Sequence, residues 1–341
     1  MLKNLALMGI MAGFCVNTAS ATETGNESRF RFTGELLYLR PTFDDTYYAV
    51  HSPTLDVESP GYAVKRYNCD PTYEPGFRFV AGYRPGCNKE ITLAYTHLDA
   101  SHSTSVLPEE FNTVSAQTGS PEFSGQFSRI NFPGRSKVDF RYRRIEALYT
   151  QNVFSDCGLN IDLGIGVDAA DLQFQQTSTF KNDDNPFGAG STGSDRIKSD
   201  TKGVGPELYF SLNYPLLQNH WLCEGTLSLR AIGSASLLVS KSRTSRLDQI
   251  TNDLTEEVEF VYVDVHKQKE NRLIPALHSR VGLAYSYEFC CRQAEFELGY
   301  QFSSYIGALA RVNFQYATPL SYTTYDNYDI QGVYLSMSLN F

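Results

Sequence analysis

The stretch LNIDLGIGVDA at residues 159–169 places an apolar side chain at every second position. Leu163 and Ile165 belong to the apolar parity, whereas Asp162 and Asp168 belong to the other parity. Successive side chains of a β-strand point to opposite faces of the sheet. The pattern therefore predicts a strand with one apolar face and one polar face.

Nine further segments carry the same alternation of apolar and polar residues. They lie at 29–38, 77–84, 90–96, 138–149, 204–214, 226–237, 280–289, 294–302 and 333–341. Within the segment at 138–149, the apolar residues occupy even positions at the start, as at Val138, and odd positions at the end, as at Ile145. One extra residue near Arg143 and Arg144 would cause such a shift, so we predict a β-bulge there.

The connections between these segments alternate between short and long. The short ones lie at 85–88, 154–158, 215–220 and 290–292. The long ones lie at about 41–73, 99–136, 171–202, 241–273 and 303–330. Outer-membrane barrels show this alternation, because their periplasmic turns are tight and their extracellular loops are long.

The segments and connections together predict an all-β fold, a closed antiparallel transmembrane β-barrel of about ten strands. Closure satisfies every backbone polar group within lipid, which an open sheet cannot do. Apolar alternation at 258–262 and at 306–314 leaves twelve or more strands as the alternative. Phe341 ends the last segment, and we predict that it is the signal read by the barrel-assembly machinery.

The N-terminus has the order of residues that is typical of a secretory signal peptide. Lys3 precedes an apolar run at 5–14, and Ala19-Ser20-Ala21 supplies a small-x-small cleavage pattern. We therefore predict a signal peptide at 1–21 and a single barrel domain at 22–341. No later stretch reaches the roughly 18 unbroken apolar residues that a membrane helix requires. The predicted location is the bacterial outer membrane, in contact with its lipid.

The charge balance excludes one class of partner. The chain has 29 Lys and Arg against 38 Asp and Glu, and its formal net charge is −9. Such a chain lacks the basic footprint of a nucleic-acid-binding protein, so we expect no nucleic acid partner.

The polar parity of the strands carries charges of both signs, which we expect to face the lumen. The candidates for pore lining are Arg78, Arg84, Arg141, Arg143, Asp162, Asp168, Glu207, Arg230, Arg280, Glu295 and Glu297. These charges could line a water-filled passage and bias the movement of ions. Alternatively, Arg–carboxylate pairs could fill a narrow lumen and leave little conduction.

Most of the cysteines lie in or beside the short connections. They are Cys87, Cys157, Cys223, Cys290 and Cys291. The oxidising periplasm favours disulfides there, within one barrel or between neighbouring molecules. Unpaired thiols and metal binding are the alternatives, although no Cys-x-x-Cys unit or nearby His completes a tetrahedral site. We expect no metal and no cofactor.

Several short motifs carry a resemblance to a known family. They are FTGELLYLRP at 32–41, PGFRF at 75–79, GVGP at 203–206, and GVYL at 332–335 with the terminal Phe341. The chain resembles the pore-forming outer-membrane proteins typified by the Legionella major outer membrane protein, a family with similar chains in chlamydia-like bacteria. The resemblance implies an abundant, porin-like barrel that is sometimes disulfide-linked, and it supplies no catalytic residues.

The sequence therefore favours a channel for passive diffusion of small hydrophilic solutes or ions. The alternative is a surface-interaction, adhesin-like or envelope-stabilising barrel that acts through its long loops, and a homo-oligomer is possible in either case. His266 and His278, with Asp264 nearby, come closest to a catalytic set, but no recognisable motif surrounds them. We expect no enzyme activity.

Overall fold

The computed structural model of the protein describes residues 29–43, 46–53, 65–86, 88–106, 112–116, 134–156, 158–182, 190–219, 225–252, 257–289, 292–314 and 321–341. The strands in these ranges are β1 (Phe30–Thr42), β2 (Tyr47–Pro53), β3 (Lys65–Asn68), β4 (Glu74–Gly86), β5 (Lys89–Val106), β6 (Asn112–Ala116), β7 (Gly134–Asp156), β8 (Leu159–Asn182), β9 (Ser191–Asn219), β10 (Gly225–Asn252), β11 (Val258–Phe289), β12 (Arg292–Phe314) and β13 (Ser321–Asn340). Within the same ranges, no helix has the length and apolar character needed to cross a membrane.

Ten of the strands form one antiparallel sheet that rings round on itself. The order round the ring is β1-β13-β12-β11-β10-β9-β8-β7-β5-β4. β1 and β4, the first and last strands in this order, pair with each other, with Phe30–Leu39 opposite Tyr83–Glu74. On its other side, β1 pairs with β13. The prediction of an all-β, antiparallel sheet of about ten strands is confirmed.

The strands of the ring differ greatly in length. β1 and β4 have 13 residues each, whereas β9 has 29 and β11 has 32. About 9 to 11 residues suffice for a tilted strand to cross a bilayer. The long strands therefore continue well past the thickness of a membrane.

These extensions correct two predictions about the connections. The connections predicted at 171–202, 241–273 and 303–330 consist largely of strand, because β8 to β13 run into them. The alternation at 258–262 and at 306–314 belongs to β11 and β12. Those two segments therefore add no strand to the ring.

Near the short turns, the outer face of the ring is apolar. Leu36, Leu208 and Leu298 point outward and are 69%, 66% and 62% exposed. Exposed apolar surface on this scale is unfavourable in water and suits contact with lipid. The predicted parity of these strands is observed, with the apolar side chains outside.

Further along the strands, the polarity of the two faces reverses. Phe140 and Phe174 are buried inside the ring, whereas Arg141 and Arg143 share the outward parity of β7. β7 pairs with β5 without any register shift from Gly134 to Gln151. The predicted bulge at Arg143-Arg144 is therefore wrong. The hydropathy changes parity because, in this part of β7, the apolar side chains pack in a core inside the ring and the polar ones point outward.

The segment that follows β1 folds into the mouth of the ring. The ring of Phe43 lies 4.5 Å from that of Phe140 and 5.0 Å from that of Phe174, measured between centroids. Gln176, which is buried, donates a hydrogen bond from Nε2 to the carbonyl oxygen of Thr46 at 3.3 Å. β2, β3 and β6 continue from this segment as a separate three-stranded sheet in the order β3-β2-β6. Chain from outside the ring thus contributes to the core within it.

Candidate functional site in the lumen

A cavity of about 500 Å³ occupies the lumen on the side of the short turns. We refer to it as the vestibule. It extends to Asn88 and Ser155, which lie beside two of these turns. Charged and hydroxyl side chains dominate its lining, because the inward parity of these strands is polar. Six of the predicted pore-lining residues contribute to it: Arg78, Arg84, Asp162, Arg230, Arg280 and Glu297.

A network of ion pairs joins the strands from inside. We refer to it as the charged network, and its members are Glu35, Arg78, Arg144, Glu146, Asp168, Glu207, Arg230, Arg280, Glu295 and Glu297. Four guanidinium groups thus serve six carboxylates. The guanidinium groups balance four of the six carboxylates, so the network keeps a formal excess of two negative charges.

Arg144 of β7 lies at the centre of this network. Its guanidinium contacts Glu146 at 2.9 Å, Asp168 at 2.9 Å and Glu207 at 2.6 Å. The side chains of Asp168 and Glu207 are fully buried. Asp168 also accepts a hydrogen bond from the hydroxyl of Ser236 at 2.8 Å. One arginine therefore fixes three neighbouring strands, β7, β8 and β9, relative to one another.

A second part of the network connects β11 to β7 by way of β1 and β4. Arg280 donates two hydrogen bonds to Glu35, at 2.9 and 3.1 Å. Arg78 then bridges Glu35 at 3.5 Å and Glu146 at 3.1 Å. Bidentate pairs between arginine and carboxylate are geometrically specific, so this part of the lumen is rigidly defined.

A third part joins β10, β12 and β13. Arg230 donates to Glu295 at 2.9 Å and to Glu297 at 2.9 Å. Glu297 also accepts a hydrogen bond from the hydroxyl of Tyr334. The guanidinium of Arg280 stacks over the Tyr334 ring at 4.0 Å, which connects this part to the second.

Beyond the charged network, aromatic side chains meet across the lumen. The hydroxyl groups of Tyr142 and Tyr305 are hydrogen-bonded at 3.2 Å. Tyr142 belongs to β7 and Tyr305 to β12, which are five steps apart in either direction round the ten-stranded ring. This hydrogen bond therefore spans the lumen between opposite walls.

The same level of the lumen is filled by buried side chains from most strands of the ring. Tyr305, Tyr328 and Leu98 are completely buried, and Phe174 is 1% exposed. Side chains that lined an open, water-filled channel would be accessible to water. The vestibule therefore ends at this core, which separates it from the mouth of the ring.

The predicted pore-lining residues fall into two groups. Nine of them point into the lumen: Arg78, Arg84, Arg230, Arg280, Asp162, Asp168, Glu207, Glu295 and Glu297. Arg141 and Arg143 do not, and their assignment to the lumen is wrong. Arg141 instead bonds to Asp99 on the neighbouring strand at 3.1 Å, with both side chains about half exposed. This error and the predicted bulge have the same cause, namely that the apolar and polar faces of β7 exchange sides along the strand.

Three members of the charged network were not among the predicted residues, namely Glu35, Arg144 and Glu146. Each of them alternates with apolar residues that point outward, so the alternation in the sequence already indicated that these three side chains face inward. For Arg144 and Glu146 this is seen once Ile145, which lies between them, is taken as outward-facing and the same alternation is continued along the whole of β7.

The predicted disulfides concern residues that the structure does not describe, since Cys87, Cys157, Cys223, Cys290 and Cys291 lie outside the described ranges. They stay a prediction. The described cysteine, Cys69, is free and buried. Its thiol donates to the carbonyl oxygen of Ser136 at 3.3 Å, and burial raises the pKa of this thiol.

The C-terminal residue completes the pairing between the two ends of the sheet. The backbone of Phe341 exchanges hydrogen bonds with that of Phe30, at 2.8 and 3.1 Å. Its ring packs edge-on against Phe32, with centroids 6.3 Å apart. The role of Phe341 as an assembly signal stays a prediction.

The sequence of the chain matches one family model from residue 22 to residue 341. That model describes the Legionella pneumophila major outer membrane protein precursor. The chain belongs to this family. The resemblance stated from the short motifs is thereby confirmed, and membership supports a location in the outer membrane. The signal peptide at 1–21 stays a prediction, because residues 1–28 lie outside the described ranges. No curated protein matches the chain.

Solved structures with a similar arrangement of strands are outer-membrane barrels of low sequence identity. The outer membrane protease OmpT from Escherichia coli is 8% identical, with a TM-score of 0.42 over 95% of this chain and 100% of that one. The Pseudomonas putida toluene transporter TodX is 9% identical, with a TM-score of 0.32 over 92% and 90% of the two chains. Similarity at this level carries no information about activity.

Proposed function

We propose that the chain is a closed β-barrel spanning the outer membrane with a sealed lumen, and that it acts as an envelope-stabilising or surface-contact protein. The observation that carries the proposal is the hydrogen bond between Tyr142 and Tyr305, which joins opposite walls within a buried core. Family membership and the exposed apolar outer face support the membrane location. No reaction and no cofactor form part of the proposal.

The extensions of the long strands support a role at the surface. β8 to β11 have 24 to 32 residues, more than twice what a crossing requires. Most of their outward side chains beyond the apolar band are polar, whereas their inward side chains are largely buried. A wall of this kind presents a rigid polar surface outside the membrane, supported by the sealed interior.

Planar-bilayer recording on the refolded protein tests the proposal. We expect no discrete conductance steps from the wild type, because the core blocks the lumen. The double variant Tyr142→Ala/Tyr305→Ala removes the two rings that meet across the lumen, and we expect it to conduct. Conduction by the variant also shows that the protein inserts under the conditions used. Regular discrete steps from the wild type would refute the sealed lumen.

A porin-like channel for small hydrophilic solutes or ions is the second candidate. The vestibule favours it, because about 500 Å³ of the lumen is lined by charges of both signs. Transport would require the contact between Tyr142 and Tyr305 to part. Swelling of liposomes in small sugars, with the wild-type protein inserted, would support this candidate over the first.

A further inference from the structure

On the outer face of β7 to β11, the apolar band ends along one row of paired residues. That last apolar row consists of Ile145, Ala169, Val204, Val239 and Leu273. The next row along the strands consists of Arg143, Asp171, Lys202, Lys241 and Asn271. The row after that consists of Arg141, Gln173, Asp200, Arg243 and Lys269. The change from apolar to polar residues takes place within about 7 Å along each strand.

The two polar rows form a basic surface on an acidic protein. We refer to this surface as the cationic shelf, and its basic members are Arg141, Arg143, Lys202, Lys241, Arg243 and Lys269. Only two carboxylates, Asp171 and Asp200, lie in the same rows, although the whole chain has a net charge of −9. The surplus of positive charge is therefore local and directly borders the apolar band.

Few of these basic groups form an ion pair within the protein, although Asp171 lies opposite Arg143 and Asp200 lies opposite Arg243 in the strand register. Lys202 pairs with Asp171 at 2.9 Å, and Arg141 pairs with Asp99 at 3.1 Å. Among the described residues, no ion pair joins Lys241, Arg243 or Lys269 to a carboxylate.

Like charges also face each other across neighbouring strands of the shelf. Lys241 lies directly opposite Lys202, and Arg243 lies directly opposite Lys269. Directly opposed side chains have Cβ atoms about 5 Å apart, and like charges there destabilise a sheet. An anion held between such pairs would offset this repulsion.

We propose that the cationic shelf binds the phosphate groups of an anionic lipid in the outer leaflet of the membrane. This inference rests on the membrane-spanning barrel of the proposed function. The ligand is assigned as a lipid because the shelf adjoins the apolar row, where Val239 and Leu273 are 62% and 61% exposed. A lipid places its acyl chains on that row and its phosphates on the shelf, so both surfaces are covered by one molecule. Each Lys or Arg near an anionic membrane surface contributes about fivefold to binding.

Native mass spectrometry of the refolded barrel in an uncharged detergent measures the binding. The probe is lipid A carrying two phosphates, with its dephosphorylated form and inorganic phosphate as comparisons. We expect the variant Lys202→Gln/Lys241→Gln/Arg243→Gln to bind diphosphorylated lipid A on the order of 100-fold more weakly at low salt. Retention of the heat-modifiable band in gels verifies that the variant folds.

A matched variant removes three exposed basic residues that lie further out on the same wall, Lys137→Gln/Arg196→Gln/Lys198→Gln. We expect it to bind the lipid like the wild type. Equal losses in the two triple variants, or equal binding of the dephosphorylated lipid, would overturn the proposal. Complete displacement of the lipid by millimolar inorganic phosphate would reassign the shelf to free anions and overturn it as well. These outcomes are separate from the conductance test, because neither triple variant alters the lumen.

Discussion

Removal of Arg144 tests whether the charged network holds the barrel together. The substitution Arg144→Met keeps much of the side-chain volume but leaves Glu146, Asp168 and Glu207 without their shared guanidinium. The distances to these carboxylates are 2.9, 2.9 and 2.6 Å, and Asp168 and Glu207 are fully buried. Loss of one partner from a buried ion pair costs about 3–5 kcal/mol, because an uncompensated charge remains. We expect the free energy of unfolding to fall by at least that amount.

The assay is urea unfolding of the refolded protein in lipid vesicles, followed by tryptophan fluorescence and by heat modifiability in gels. Arg141→Met is the matched control, since Arg141 lies three residues away on the same strand. Its ion pair with Asp99 is exposed and stabilises the protein by about 0–1 kcal/mol. Adding Glu207→Gln to Arg144→Met should recover stability, because one buried charge is removed. Equal losses from Arg144→Met and Arg141→Met would refute the reasoning.

Three further predictions concern single positions elsewhere in the chain. A Cβ added at Gly205 would lie 1.9 Å from the backbone oxygen of Leu237, whereas one added at Gly233 would meet nothing within 4 Å. Gly205→Ala should therefore lower the free energy of unfolding, measured in urea, by about 1–3 kcal/mol. A similar loss of stability for Gly233→Ala would contradict this reasoning. Cys69 should resist maleimide at pH 8 until the protein unfolds, since burial raises the pKa of its thiol and lowers the thiolate fraction; rapid native labelling would argue against it. Phe341→Ala should reduce the amount of barrel assembled in cells but not refolding in vitro, and unchanged assembly would remove its role as a signal.

The sequence predicted the part of each strand whose outer face is apolar. Along β10, Leu227 to Leu237 alternate as an outward apolar face requires, and the structure places them there. Lipid demands one parity of apolar residues, so the pattern has a single interpretation. The ring of about ten strands follows from counting such segments.

The parts of the strands beyond the apolar band were not predictable in the same way. There the outer face is mainly polar and the inner face of β7 and β8 packs in a core, so the parity of apolar residues inverts without any change in the backbone. Phe140 on β7 and Phe174 on β8 illustrate this inversion, since each points inward. When a single environment is assumed for the whole strand, an exchange of the apolar and polar faces midway along it is interpreted as a bulge or a loop.

The core inside the ring depends on contacts between residues that are far apart in the sequence. Tyr142 and Tyr305 meet across the ring, and Phe43 enters it from the segment after β1. Local alternation shows that such residues face inward but not which of them meet. The contacts that build this core could therefore be identified only in the structure.

A nitroxide scan of β10 from Ala235 to Arg246, in the refolded protein in vesicles, tests the central claim most directly. Oxygen, which partitions into lipid, should relax labels at 235, 237 and 239, and a water-soluble nickel chelate should relax labels at 241 and 243. Labels at 236, 238, 240 and 242 should respond to neither reagent, because these positions face the sealed interior. Strong relaxation by the nickel chelate at these even-numbered positions would show a water-filled lumen and contradict the account.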